Sequence, residues 1–583
     1  MANQNHISGY DLFQYLSEEK TKSVDNMTLT ENGAITYKSM GDTLVDLNNE
    51  VMALRNKEPK EIQEKFQAAY AEDPKAATKW LFHLGDIREG KGERRTFNIC
   101  MDYMAKQHPE ITKELLPLIP EYTRWDYAVR LMQSTSKPVA DKAADFVVKQ
   151  IKKDQSAKRG EQSLLAKWLP SIQTKKPGER KIVFAIENRL GLDHKGYRKM
   201  LSRLRQNLNI IEKYMSGKEL DKVNMESLTS HQNLKYGKAF QKWIPEKRQE
   251  YLEKVMAGEA KMNAGVVYPY EITHAYREKN SQYSWYPVRK YNMDLEALWK
   301  MLPDKVNGDS TTLVIRDGSG SMTQRFSSST SARCLDVATA LSVYFAEKQD
   351  GPMKDKFITF SSEPEVVDMS HCETLCEKLQ LCDQYDDCSN TNIEKTFDLL
   401  LDTLKSSNAT QEDVPKNLLI VSDMEFDDAT SHDFDFYHDE SDWTKTLFEN
   451  IKEKWEDNGY ELPRLVFWHI NAHRTIAPMV ENDRGLVTLS GFSTNTLDMV
   501  LSGEFEKEVV NKETGKTEKV TMSPKEQLET ILSKPRYDEV EKAYEKGVQK
   551  ERSYHKAKDI QMDFVYPSEI TKKEKNLEKG LEK

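Results

Sequence analysis

The sequence predicts two architectures in one chain: an α-helical-repeat (HEAT-like) N-terminal domain and, after it, a doubly wound, Rossmann-like α/β domain. Three observations carry this. Residues 41–300 hold amphipathic segments at helical spacing and lack short, β-branched-rich apolar runs. From residue 311 such runs recur between longer helical or irregular stretches, the pattern of a mostly parallel sheet buried on both faces. The first run leads into Asp317-Gly318-Ser319-Gly320-Ser321-Met322, a polar loop placed where open α/β sheets form their binding crevices.

In the first half, helices are expected at 60–70, 76–84, 95–105, 111–118, 141–151 and 194–215. Gly, Pro and charged turns join them, as in an α-solenoid. No fixed repeat period stands out, so an irregular helical domain is the alternative. In the second half, strands are expected at 311–315, 357–360, 417–421, 465–470 and 485–489. Leu335, Ala338, Leu341 and Phe345 share one side of a crossover helix between the first two. Beyond Glu504 the chain is charge-rich: 511–519 reads as a polar hairpin or loop, 537–547 as a helix, and 571–583 as a frayed tail. The expected divisions are a segment 1–40, a helical domain 41–303, an α/β domain 304–503 and a charged helical extension 504–583. Pro303 and Gly308 punctuate the join near residue 300, and a fragment from Asp304 to about Gly503 is expected to fold alone.

The length of 583 residues requires more than one core. No apolar stretch is long enough to span a bilayer, and the start lacks a basic then apolar signal, which points to the cytoplasm. Six cysteines in so long a chain suit a reducing compartment. Cys372, Cys376, Cys382 and Cys388 cluster beside His371, but their spacing is poor for zinc, and buried core thiols are the preferred reading. The net charge of −10 conceals a segregation: Lys and Arg less Asp and Glu is −3 over 1–150, +13 over 151–300 and −20 over 301–583. A basic block of that size attracts phosphates through counterion release even beside an acidic domain. The acidic run 427–442 reads as a solvated loop.

Asp317, Ser319 and Ser321 can converge on one hard cation if the chain turns sharply, which Gly318 and Gly320 permit. Two further oxygens are offered at comparable strand ends, Thr391 in Ser389-Asn390-Thr391-Asn392 and Asp423 in Val421-Ser422-Asp423-Met424-Glu425. A metal-free helix-capping loop would account for the first of these loops but not for all three. No Gly-Lys-Ser/Thr follows the glycines, which argues against a phosphate loop. In this order the three loops resemble the metal-ion-dependent adhesion site of von Willebrand factor A domains. The resemblance implies Mg²⁺ or Mn²⁺ bound by Ser319, Ser321 and Thr391, with Asp317 and Asp423 acting mostly through water. It also implies a sixth position open to a partner's carboxylate.

The helical half carries 86–95 (Asp-Ile-Arg-Glu-Gly-Lys-Gly-Glu-Arg-Arg), 118–126 (Leu-Ile-Pro-Glu-Tyr-Thr-Arg-Trp-Asp) and 197–205 (Tyr-Arg-Lys-Met-Leu-Ser-Arg-Leu-Arg). The second half carries Ser422-Asp423-Met424-Glu425-Phe426 and Pro463-Arg464-Leu465-Val466-Phe467-Trp468. Over residues 40–540 the helical strings, followed by the metal-site domain, resemble the TROVE-related proteins, the group of the Ro autoantigen, while the second-half strings resemble those of a closer branch. More closely, the chain is similar to an uncharacterised bacterial, phage and plant branch with that layout. The resemblance implies a ribonucleoprotein component that grips small structured or misfolded noncoding RNA with its helical part.

Candidate RNA contacts come from local charge. Arg88, Lys91, Arg94 and Arg95 flank a glycine turn, although Asp86, Glu89 and Glu93 make an acid-paired turn an equal alternative. Arg198, Lys199, Arg203 and Arg205 lie in one helix without a nearby acid until Glu212, while Leu201, Leu204 and Leu208 supply its buried side. Trp125, Trp168 and Trp243 can stack on bases, with core packing the favoured alternative for each. The competing reading is a metal-dependent protein-interaction scaffold with no RNA role. Catalysis is disfavoured, because a hydroxyl-dominated site offers little of what a hydrolytic metal centre needs.

Overall fold

Residues 26–29, 35–208, 210–277, 290–306, 312–326, 330–360, 363–386, 393–423, 447–470, 486–490, 505–510 and 517–553 are described by the structure, a computed structural model. Strands β1 (Met27–Leu29) and β2 (Ile35–Tyr37) pair antiparallel ahead of a region, 43–300, whose described residues form helices and turns. Local chemistry starts and stops these helices. Asp73 accepts from the Ala76 amide with Pro74 in the first turn of Pro74–Gly85, and Asp193 caps His194–Asn207 through the Gly196 amide. Gly191, at φ 64°, ends Pro177–Leu190 in the left-handed conformation that glycine adopts at low cost.

The expected helices form as Pro59–Glu72, Pro74–Gly85, Arg94–Gln107, Pro109–Leu115 with a following 3₁₀ turn Leu116–Leu118, and Lys137–Ser156. The single helix expected over 194–215 is two. His194–Asn207 stops at Leu208, whose ψ of 135° is extended, and Ile211–Ser216 restarts after Ile210, also extended. Asn and β-branched Ile both weaken helix continuation at this point.

The five apolar runs become parallel strands of one sheet: β3 (Thr312–Asp317), β4 (Lys356–Phe360), β6 (Asn417–Ser422), β7 (Arg464–His469) and β8 (Leu486–Ser490). A sixth strand, β5 (Val366–Asp368), pairs antiparallel at the β4 edge, so the order is β5-β4-β3-β6-β7-β8. Its three residues alternate exposed, buried, exposed, too short a pattern to distinguish from a loop. Every residue of β3 and β6 is buried, as central strands covered on both faces must be. One face packs Ile315, Ile420 and Phe467 against Phe397, Phe448 and Trp455 from two helices. Farther on, β9 (Glu506–Val510) and β10 (Thr517–Thr521) form an antiparallel pair that brackets the region expected to be a polar hairpin. The expected tail 571–583 lies outside the described residues.

The crossover helix Cys334–Lys348 was expected to bury one side, yet it is buried all round from Cys334 to Ala346. The cause is the helix Pro269–Tyr276, which packs across it and places His274 and Arg277 over Asp336. Asp336 is 1% exposed. Its carboxylate meets His274 Nδ1 at 3.1 Å, Arg277 Nε at 3.0 Å and Arg333 Nη2 at 3.0 Å. Helix Met293–Lys300 also reaches the α/β elements: Glu296 accepts the backbone amides of Leu375 (2.9 Å) and Cys376 (3.0 Å), the first turn of Leu375–Cys382. A carboxylate there complements the amides of the helix start, which have no acceptor within the helix.

Compactness therefore does not follow the sequence division at 303/304. One unit takes in residues 1–72, 87–96 and 210–533, joining the later helices to the sheet; the other takes in 73–86, 97–209 and 534–583. In the second unit residues 535–553 return to the early helices. Tyr537, 1% exposed, meets His83 Nδ1 at 2.9 Å, Arg536 pairs with fully buried Asp86, and helical residues 538–553 bring Glu541 to Lys75 and Lys79 at 2.8 Å each. No helix among the described residues is long and apolar enough to cross a membrane.

Burial alone would raise the Asp336 pKa, but the His274 hydrogen bond and the Arg277 and Arg333 guanidinium groups outweigh it and hold this carboxyl well below the usual range. A depressed carboxyl pKa stabilises the fold at neutral pH, and that stabilisation fades as pH falls below about 4, the unfolded value, toward the folded one. Asp336→Asn removes the carboxylate charge that the buried Arg277 and Arg333 guanidinium groups share. It is expected to cost about 3 kcal/mol or more at pH 7 and less in acid, as urea unfolding at both pH values would measure.

Candidate metal centre and nucleic-acid interface

Register places Asp317, the first metal candidate, and Ser422, the residue before Asp423, at one edge of the sheet. Arg316 pairs with Val421, so the next residues, Asp317 and Ser422, stand side by side at the carboxyl ends of β3 and β6. The Ser422 hydroxyl donates to Asp317 Oδ2, and the Ser319 amide donates to Asp317 Oδ1 at 2.9 Å. The chain then enters a 3₁₀ turn, Gly320–Thr323, which brings Ser321 Oγ to 3.0 Å from Ser319 Oγ. Neither Gly318 nor Gly320 takes a left-handed conformation, so the sharp turn expected to need glycine is made with ordinary backbone angles. Asp423, fully buried, follows Ser422 directly. Thr391 lies outside the described residues. Burial pushes the Asp317 carboxyl pKa up despite the bonds from Ser422 and Ser319, a cost that an adjacent cation would relieve. Paired hydroxyls beside buried carboxylates are hard oxygen donors of low total charge, a set that suits Mg²⁺ or Mn²⁺ and not a thiophilic ion.

The loop's base is held by a buried cation. Arg316, 0% exposed, pairs with Asp386 at 2.7 Å and donates to the Tyr385 carbonyl at 3.1 Å and Thr339 Oγ1 at 2.9 Å. Among the cysteines, Cys376 and Cys382 are buried on the helix Leu375–Cys382, Cys372 is half-buried, and Cys388 lies outside the described residues. Burial raises the Cys382 thiol to about 12, so it stays protonated at neutral pH.

Farther along the same strand ends lie residues that the sequence reading assigned otherwise or missed. Ser422 pairs in register with His469, and His469 with Ser490. Lys91, expected to be a phosphate contact, is buried at 6% exposure: its Nζ donates to Ser490 Oγ (2.6 Å), the Ser490 carbonyl (3.2 Å) and the Asn48 carbonyl (3.3 Å). Burial brings its pKa down to about 7. Burial, then the Lys91 charge, pushes His469 down to about 3, so the imidazole is neutral at physiological pH. Nothing in the periodicity of a Gly-Lys-Gly-Glu string distinguishes this inward lysine from a surface one.

The rest of that string is also structural. Gly92 sits at φ 64°, where a Cβ would come within 2.6 Å of the Tyr268 hydroxyl. Glu93 is buried against Arg55, and Arg95 donates to the Leu54 (3.2 Å) and Lys57 (2.7 Å) carbonyls, capping the end of Val51–Leu54. Arg88 and Arg94 are exposed.

The second basic group divides differently. Arg205 donates to the Ala166 (3.0 Å) and Leu169 (2.7 Å) carbonyls and is committed to packing. Arg198, Lys199 and Arg203 are exposed, and none joins an ion pair among the described residues. The opposite side of their helix buries Tyr197, Met200, Leu201 and Leu204. Of the tryptophans, Trp125 stacks on Phe146 (5.4 Å, 19°) and Trp168 lies beneath the Arg124 guanidinium at 4.6 Å, so both are used by the fold. Trp243 is 60% exposed, with Lys242 Nζ at 5.3 Å.

A lysine whose folded pKa is depressed destabilises the protonated fold. Stability is therefore expected to rise with pH from about 7 toward the ordinary lysine value near 10.4. Lys91→Met should flatten that rise, and urea midpoints measured across this range would check it.

Comparison with known proteins follows the same division along the chain. Residues 30–120 and 135–311 match a domain of unknown function, DUF2828, and residues 311–541 match a second, DUF7788. The chain is 26% identical over 518 residues to "Uncharacterized protein L728" of Acanthamoeba polyphaga mimivirus, covering 82% of this chain and 85% of that protein. The helical region thus carries the DUF2828 match and the parallel sheet the DUF7788 match, and the two meet at residue 311, one residue before β3.

Proposed function

We propose that this chain is a Ro-like RNA-binding protein of the cytoplasm. In this reading it grips small structured or misfolded noncoding RNA through a basic helical face and holds Mg²⁺ or Mn²⁺ in a von Willebrand factor A-type site for closure or for a partner's carboxylate. The observation that carries the RNA reading is the exposed Arg198, Lys199 and Arg203 on a helix whose other side is core. They belong to the stretch 97–209, where 22 Lys and Arg stand against 12 Asp and Glu. Exposed cations without acidic partners are the groups whose counterions are released on phosphate binding. The metal reading rests on Asp317, Ser319, Ser321 and Asp423 at the sheet's edge, with Thr391 completing the set by resemblance. We read both as binding sites, because hydroxyl ligands leave the ion without the charged ligands and general base of a hydrolytic centre. A metal-dependent protein scaffold is the second reading, favoured by the hydroxyl and carboxylate convergence alone.

Filter binding of a structured RNA with single-stranded ends, repeated over a salt series, tests the first reading. Log affinity is expected to fall linearly with log salt, and the triple variant Arg198→Glu, Lys199→Glu, Arg203→Glu should weaken binding and flatten the slope by about 2. Absence of saturable binding at low salt would leave the scaffold reading.

The metal site has a separate readout. Mg²⁺ or Mn²⁺ should raise the melting temperature of the wild-type chain through binding to the folded state, and Asp317→Asn should remove the rise. Equal metal-dependent shifts in both proteins would rule out the assigned ligands.

A further inference from the structure

The helix Pro177–Leu190 buries Ile182, Val183, Ile186 and Glu187, which leaves Phe184 pointing away from its core. Phe184 is 62% exposed, more than Trp243 or any other large apolar side chain among the described residues. A single exposed apolar residue is ordinary, so exposure alone says little. Its neighbours on the helix supply the second observation. Lys181, three residues before it, and Asn188, four after it, are both exposed, which puts an ammonium and an amide about one turn to either side of the ring. After Gly191 the chain enters the helix that displays Lys195, Arg198, Lys199 and Arg203. Lys181 and these four cations join no ion pair among the described residues.

A phosphodiester strand with its bases unstacked has the chemistry that complements this stripe: phosphate for the ammonium, a base face for the ring and a base edge for the amide. A protein partner of apolar character would have to desolvate the Lys181 ammonium one turn from the ring, which opposes such docking. We propose that Phe184 is a stacking platform for an unpaired base, with Lys181 on the adjoining phosphate and Asn188 at the base edge, so that this face selects single-stranded over duplex RNA. The proposal rests on the RNA-binding reading and adds to it the class of RNA.

The test uses the full chain and two labelled probes, a short oligouridylate and a blunt RNA duplex of equal length, followed by fluorescence anisotropy. Phe184→Ala should weaken oligouridylate binding about tenfold or more while changing duplex binding less than about twofold, and Phe184→Trp should retain wild-type affinity for the single strand. Unchanged oligouridylate affinity in Phe184→Ala, with wild type binding normally, would overturn the stacking role and leave RNA binding standing. Equal losses on both probes would also overturn it. Failure of wild type to bind either probe would remove the RNA reading together with this one. Dissociation of a wild-type oligomer by Phe184→Ala, with RNA affinity unchanged, would reassign the ring to self-association.

Discussion

The buried Asp336 carboxylate is the contact on which the first compact unit depends. It sits at the start of the crossover helix, between the helix Pro269–Tyr276 and the sheet, where it hydrogen-bonds His274 and neutralises charge on Arg277 and Arg333. Arg277 also reaches Asp383 at 2.9 Å, and Arg316 reaches Asp386, so two buried arginines grip the segment 383–386. Ion pairs this deep gain little net stability over apolar packing, yet removing one member strands the others. Their value here is register: they specify how the helix Pro269–Tyr276, the crossover helix and the turn beside Gly318 meet.

That register reaches the strand ends. Because β3, β6, β7 and β8 run parallel and in step, Asp317, Ser422, His469 and Ser490 form one row along the carboxyl edge. The row changes character along its length. At one end are carboxylates and hydroxyls suited to a hard cation; at the other is a buried ammonium held by Ser490 and the Asn48 carbonyl, beside a neutral imidazole. Strand pairing sets the row itself, while Ser319 and Ser321 are brought to one end by the turn after β3 and Lys91 to the other by its glycine turn.

The strands were legible because a parallel sheet buried on both faces writes continuous apolar runs, and each of the five was located to within a residue or two at its ends. β5 was not, since three residues carry no periodicity. The nearness of Asp317, Ser319 and Ser321 was legible because their spacing is local, although the turn is made without the left-handed glycine conformation. What the sequence did not disclose is long-range. Nothing near Asp336 announces that a helix some sixty residues earlier will cover it, so the apparent border at residue 303 marks a change of secondary structure and not a boundary of packing.

The same limit governs the cations. Lys91 and Lys199 both lie in charged strings; one ends inside against a strand end and the other outside, with no ion pair among the described residues. Arg95 and Arg205 each turn back to cap helix carbonyls, leaving their neighbours Arg94 and Arg203 at the surface. Guanidinium groups serve both purposes because a planar fork satisfies two carbonyls as readily as two phosphate oxygens. A basic block therefore overstates its phosphate-binding capacity by however many of its members the fold has already engaged. Of the four basic candidates in that helix, Arg198, Lys199 and Arg203 are the ones the fold leaves at the surface.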